Sequence, residues 1–289
     1  MKSVNAVKLL LILCSVFLVF TVSVYIFYNS SRKGNVTYIT LLPQKNAKTV
    51  TEILIDSPSF SFPIHLLREN GKWFLDLGAR YPADDNRIER LFEEFSGRKK
   101  ASVIIGTDLL NYGLSGPDTV HVQFFNAQHA IISSAAFGDT DITGESIFLI
   151  SGNEKKIFRT DDTYSHFLNP RASYWVNLTP FSTLQDKGNI QRLIVNKENE
   201  KKEFRAGRDP QPEELGTVLQ KLQCLDITNV PMMPQEEIIL EMGNTEVITI
   251  HFAELDGENT IMTTSLIPGS AYIISRWAKE KIDSVFEEL

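Results

Sequence analysis

Between Leu9 and Tyr28 the chain reads LLLILCSVFLVFTVSVYIFY, with no charged side chain anywhere in it. At about 1.5 Å of rise per residue, such a run measures roughly 30 Å as a helix, the thickness of a bilayer's hydrocarbon core. A backbone inside lipid must satisfy its own amides and carbonyls, and a helix does so. Tyr25 and Tyr28 fall at one end, where aromatic rings favour the interface. The run predicts a transmembrane helix over residues 9–28. A cleaved signal peptide, with Thr21 and Ser23 as the small residues before the cut, is the competing expectation, although its apolar region usually spans only about 7–15 residues. A lipoprotein site at Cys14 is weaker still, since the apolar run continues well past it. Lys2 and Lys8 precede the run while Arg32 and Lys33 follow it, so the positive-inside bias is slight. A short tail before a large following body favours an inside N-terminus. Residues 1–8 are then a cytoplasmic tail and 29–48 a tether with Gly34 and Pro43 as breakers, holding a short strand around Tyr38 to Leu42. The body lies outside the cytoplasmic (inner) membrane.

Charge narrows the partners. The 289 residues carry a formal net charge of -7, which disfavours nucleic acid and docking of the body onto anionic lipid. With Cys14 in the apolar run, Cys224 is left as the body's single thiol, so no internal disulfide closes there.

The body predicts a repeat. In DDNRIERLFEEFSG, Ile88, Leu91, Phe92 and Phe95 fall at i, i+3, i+4 and i+7, and Leu215, Val218, Leu219 and Leu222 repeat that spacing in PEELGTVLQKLQC. Each is the apolar stripe of an amphipathic helix. Asp84 and Asp85 open the first, Pro212 with Glu213 and Glu214 opens the second, and Gly97 closes the first. VTEILID and KWFLDL precede the first stripe as IQRLIVN and KKEFRA precede the second. Four alternating segments follow each, from VHVQFF to KIFRTD and from EIILEM to AYIISR, and each series ends in a helical segment. The expected class is α+β: one N-terminal transmembrane helix, then two similar units over residues 49–185 and 186–289. Each unit is expected to be an antiparallel sheet with one long amphipathic helix and a closing helix. The first unit carries extra chain, LLNYGLSGPD, Leu109 to Asp118, where the second offers NVPMMPQE.

The segment GKWFLDLGARYPADDNRIERLF, followed by LLNYGLSGP, resembles the signature of domain of unknown function 4340. Trp73, Pro82-Ala83-Asp84, Tyr112-Gly113-Leu114 and Pro117 carry the resemblance, with Gly138 and Gly144 as the next glycines and Phe148 where a Tyr is common. It covers roughly Val50 to Ser182. It implies a bacterial protein anchored by one N-terminal helix, of a kind often encoded beside ABC-type transporter components similar to those of gliding-motility systems. It implies no catalytic residue. Folding accounts for the markers: Trp73 as a packing aromatic, Asp84 as an N-cap, Gly113 as a position of positive φ or close backbone approach.

Sites of chemistry are sparse. His65, His121, His129, His166 and His251 form no metal-ligand spacing, although His121 and His129 are placed to face each other across adjoining strands. In GDTDITGE, Asp139, Asp141 and Glu145 share one loop and suggest a cation, yet an EF-hand loop wants its Glu at position 12 and a different residue at position 5. A solvated Asx-type turn is the plainer expectation. No GxSxG, GxxxxGK[ST] or GxGxxG occurs. The chain is therefore expected to be no enzyme, to hold no cofactor or metal and to bind no nucleotide. NPRASYWVNLTPFSTL, Asn169 to Leu184, joins the units with Arg171, Tyr174, Trp175 and Phe181, types that dominate binding hot spots and also make inter-unit glue. Expected partner contacts are Tyr112, Leu114, Arg171, Tyr174 and Trp175. The function expected is a membrane-anchored extracytoplasmic binding or scaffolding protein, an accessory of an ABC-type transporter whose subunits are its partners. The alternative is a receptor for a small ligand or glycan between the units.

Overall fold

The computed structural model describes residues 16–24, 36–105, 108–152, 154, 156–198 and 200–287. Among these residues seventeen strands form two antiparallel sheets. The first holds β1 (Val36–Ile39), β2 (Val50–Asp56), β3 (Ile64–Glu69), β4 (Lys72–Asp76), β5 (Arg80–Pro82), β6 (Lys99–Ile104), β7 (Val120–Asn126), β8 (Ile131–Thr140), β9 (Ser146–Ser151) and β10 (Ile157–Asp161), in the order β1-β6-β10-β9-β8-β7-β2-β3-β4-β5. The second holds β11 (Ile190–Lys197), β12 (Glu200–Arg205), β13 (Asp226–Thr228), β14 (Glu236–Met242), β15 (Val247–Glu254), β16 (Asn259–Thr264) and β17 (Ala271–Ser275), in the order β12-β11-β14-β15-β16-β17-β13.

This corrects the expected α+β class. Strands dominate, and the helices α1 (Asp85–Ser96), α2 (Gln211–Gln220) and α3 (Arg276–Glu287) each cover part of one sheet face. No helix among the described residues is long and apolar enough to cross a membrane. Residues 16–24 are helical, and residues 9–15 and 25–28 of the expected span lie outside the described residues. Nor are the units alike in size or in their helices, since the first closes in single turns at Tyr164–Phe167 and Ala172–Trp175 where the second closes in α3. What recurs is strand order. Read from β6 to β3, the inner seven strands of the first sheet (β6-β10-β9-β8-β7-β2-β3) match β13-β17-β16-β15-β14-β11-β12 of the second. The first sheet adds β1 at one edge and β4 and β5 at the other.

Local chemistry explains the helices. Asp84, extended at φ -76 and ψ 102, accepts the Arg87 amide at 3.2 Å and so caps α1. Ile88, Leu91 and Phe95 bury the apolar stripe. Phe95 meets Phe124, Phe137 and Tyr164 edge-on, at centroid distances of 5.2, 5.9 and 5.1 Å for the three rings. Gly97 ends α1 with its amide on the Glu93 carbonyl at 2.9 Å and an extended backbone. α2 starts at prolines with Glu213 and Glu214 in its first turn and buries Leu215 and Leu219. In the strands, alternation sends Ile53, Ile55, Leu66, Leu75, Val122 and Phe124 to the helix-covered face and their neighbours to the outer face.

Candidate functional site

The outer face of the first sheet is the first place where the expected contacts gather. Tyr112 ends a single 3-10 turn, and Gly113 follows at φ +66. The loop is pressed onto β8: a Cβ on Gly138 would stand 2.0 Å from the Tyr112 carbonyl oxygen and 3.0 Å from Leu114 Cγ. A Cβ on Gly113 would stand 2.4 Å from Asp139 Oδ1. Two glycines on separate segments thus let the backbones meet, and Gly113 needs its freedom for φ as well. Tyr112 packs on Phe148 at 4.8 Å between centroids, and Leu114 is buried. Thr119 Oγ1 donates to the Gly113 carbonyl at 2.8 Å, and the Pro117 carbonyl accepts from Ser57 Oγ and the Ser59 amide, each at 3.1 Å. The extra loop of the first unit is a cover over β8 and β9.

Beyond that cover, Phe125 on β7, Leu54 on β2, Leu67 on β3 and Phe74 on β4 share the outer face and are half-buried. Among them lies a carboxylate. Glu52 faces outward by alternation with the inward Ile53, and a bulge before it returns Val50 to the core. Glu52 Oε1 sits 2.7 Å from His65 Nε2, and Oε2 sits 2.8 Å from His129 Nδ1. His129 occupies the β7–β8 turn at φ +56. It therefore faces Glu52, and does not meet His121 across adjoining strands.

The cation expectation meets a loop that satisfies itself. Asp141 Oδ1 accepts the amides of Thr143, Glu145 and Ser146 at 3.2, 3.2 and 3.3 Å and the Thr143 hydroxyl at 2.8 Å. Its other oxygen receives the Arg159 guanidinium. The Thr143 hydroxyl foremost, with the Arg159 charge behind it, holds this carboxyl below the usual range. Asp139 lies over Gly113 and Glu145 is exposed, so the three carboxylates do not converge. No group of three His, Cys, Asp or Glu that could hold a metal occurs among the described residues. Cys224 is buried, which pushes its thiol up to about 12 and keeps it un-ionised at neutral pH.

The junction of the sheets is the second gathering place. Trp175 is 0% exposed and donates Nε1–H to the Asn169 carbonyl at 3.1 Å, while its own carbonyl accepts the Asp84 amide at 2.8 Å. Tyr174 is half-buried beneath the Arg87 guanidinium, 4.4 Å from its ring centroid. Cys224 donates its amide to the Leu178 carbonyl at 2.8 Å, tying this segment to the second sheet. Tyr81, which the sequence analysis did not single out, pins the sheets together. Its hydroxyl donates to the Thr228 carbonyl at 3.1 Å and accepts the Ala271 amide at 3.2 Å, and its ring meets Tyr272 edge-on at 5.8 Å. Burial raises its pKa, so the hydroxyl keeps its proton to donate. Beside it opens a cleft of about 620 Å³ lined by Phe60, Phe62, Arg171, Asp226, Thr228 and Asn229. Of the five expected contacts, Arg171 alone lines it. A guanidinium fork, a carboxylate and an exposed phenyl ring suit a polar ligand with one apolar face.

No solved structure matches the chain. It is similar to an uncharacterized protein of Treponema pallidum (strain Nichols), at 22% identity over 228 residues, covering 76% of this chain and 71% of that one. The family described as Domain of unknown function (DUF4340) matches residues 73–238, reaching past the junction into β14. That is more than half of the 289 residues, and the chain belongs to this family.

Proposed function

We propose that the chain is a membrane-attached, extracytoplasmic binding and scaffolding protein that serves an ABC-type transporter complex and catalyses no reaction. The apolar stretch from Leu9 to Tyr28 is the attachment in this reading, and it works by raising the body's local concentration beside its partner. One observation carries the proposal: Phe125, Leu54, Leu67 and Phe74 lie half-buried across four adjacent strands, on a face that no helix among the described residues covers, next to the loop that covers the rest. Flat apolar faces of this kind mark protein contacts. Co-purification from native membranes under mild detergent tests it. Transporter subunits should be recovered with the wild type and lost with Phe74→Asp/Leu67→Asp. Repeated recovery of the chain alone would refute it.

The junction cleft favours a second reading, a receptor for a small polar ligand or glycan. Arg171 lines it opposite the Phe60 and Phe62 turn. A thermal-shift survey of oligosaccharides should give hits that Arg171→Ala removes. Hits that survive the substitution would place binding elsewhere.

A further inference from the structure

α2 and α3 lie together on the second sheet, and a groove of about 1340 Å³ runs beside them. Its floor is apolar, with Val218, Leu222, Cys224, Ala278 and Val285. Two large apolar side chains stand at its rim mostly in water, Trp277 at 63% and Leu225 at 55% exposure. The Lys281 ammonium sits 3.7 Å from the Trp277 ring centroid. A wet indole over an apolar floor is the composition of a protein-binding hot spot.

The charges on α2 select the occupant. Its exposed side reads Glu213, Glu214, Thr217 and then Lys221 just past the last turn, acidic at one end and basic at the other. Residues four apart share a helix face and lie about 6 Å apart along the axis. Glu213 and Lys221 are therefore equidistant from Thr217. A two-fold axis at Thr217 that lays α2 antiparallel to its copy brings Glu213 opposite Lys221 of the partner subunit and Thr217 opposite Thr217 of the partner subunit. Such a stripe is complementary to itself, which is what an isologous interface requires. A parallel approach would instead set acid on acid and base on base. We propose that this groove is a self-association surface, where two copies of the chain pair through antiparallel α2 helices and remove Trp277 and Leu225 from water.

Sedimentation velocity of the full chain in mild detergent tests the pairing. The wild type should sediment as a dimer, and Lys221→Glu should weaken it at least tenfold. Combining Glu213→Lys and Glu214→Lys with Lys221→Glu should restore it, because the swapped stripe is again self-complementary. That recovery separates charge repulsion from misfolding. In a Cys14→Ser background, Thr217→Cys should give a disulfide-linked dimer under mild oxidation, while Thr143→Cys in the first unit should not. A wild-type monomer at every concentration would overturn the proposal and leave the groove to a different protein. So would a dimer that survives Lys221→Glu while Thr217→Cys stays unlinked.

Discussion

The two sheets share seven strands in one order yet differ on their outer faces. The first sheet carries Leu54, Leu67, Phe74, Phe125 and Phe148 outward and needs a cover over part of them, the loop that seats Tyr112 on Phe148. The second mixes Ile194, Ile239, Ile261 and Ile273 with an ion-pair lattice, in which Arg192 meets Glu203 at 2.7 Å and Glu241 at 2.8 Å and Arg205 meets Glu203 at 3.0 Å. A helix-covered face is constrained by close packing, so strand order and core alternation recur. An outer face is constrained only by what it touches, and it is there that the units diverge. The contact proposed for the first sheet's face rests on this difference.

Four substitutions sharpen this comparison. The largest effect is expected at Gly138→Val, whose Cβ would stand 2.0 Å from the Tyr112 carbonyl oxygen. Lifting the cover should cost about 3 kcal/mol or more, the upper end of overpacking. A contrasting glycine in the second unit is Gly216, inside α2, where a Cβ added by Gly216→Ala would meet Ile190 Cδ1 first, at 3.5 Å. It should stabilise by about 0.5–1 kcal/mol, as for a glycine replaced inside a helix. Urea denaturation of both reads the contrast, and a Gly138→Val loss no larger than about 0.5 kcal/mol would show that the loop does not depend on the close approach.

Next comes Tyr81→Phe, which removes the hydroxyl bridging to Thr228 and Ala271. Leaving those part-buried backbone groups short of a partner should cost about 1–3 kcal/mol. Differential scanning calorimetry should then show the single transition broadening or splitting as the sheets uncouple. An unchanged profile would place the coupling in the hydrophobic contacts alone.

The smallest effect belongs to the charged face. Arg192 foremost, and then Arg205, hold Glu203 at about 2, down from its ordinary 4.5. A depressed carboxyl contributes stability that is present above its unfolded pKa and lost as pH falls through the folded one. Wild-type stability should therefore decline between about 4.5 and about 2 as Glu203 takes up its proton. Glu203→Gln should flatten part of that decline while changing little near neutrality beyond a surface ion pair's worth. Denaturation curves measured across this acid range check it, and identical slopes would dismiss the lattice as a stabilising device.

Some of this was legible in the residues. Asp84, the spacing of Ile88, Leu91 and Phe95, and Gly97 announced α1, because caps and stripes are local. The self-satisfying turn at Asp141 was likewise visible, since its partners Thr143, Glu145 and Ser146 are near neighbours in sequence. β6 was not. Lys99–Ile104 earns its place by pairing with β1 and β10, both remote in the chain, and short alternation carries no mark of such partners. The class was misjudged for a related reason. Two amphipathic stripes read as halves of an α+β plan, whereas each is a cover laid on a broader sheet. At the junction, Trp175 and Arg171 look equally suited to contact in sequence, yet the backbone turns one into the core and the other to the cleft.

The sequence by itself determined the caps, the alternation of each strand and the uncharged N-terminal stretch, since these follow from neighbours within a few residues. Only the tertiary structure decided which strands met, that Gly113 and Gly138 would let two backbones touch, and that Tyr81 would fasten one sheet to the other. Those outcomes depend on closing long stretches of chain, where the entropy of closure and the packing of distant side chains set the result.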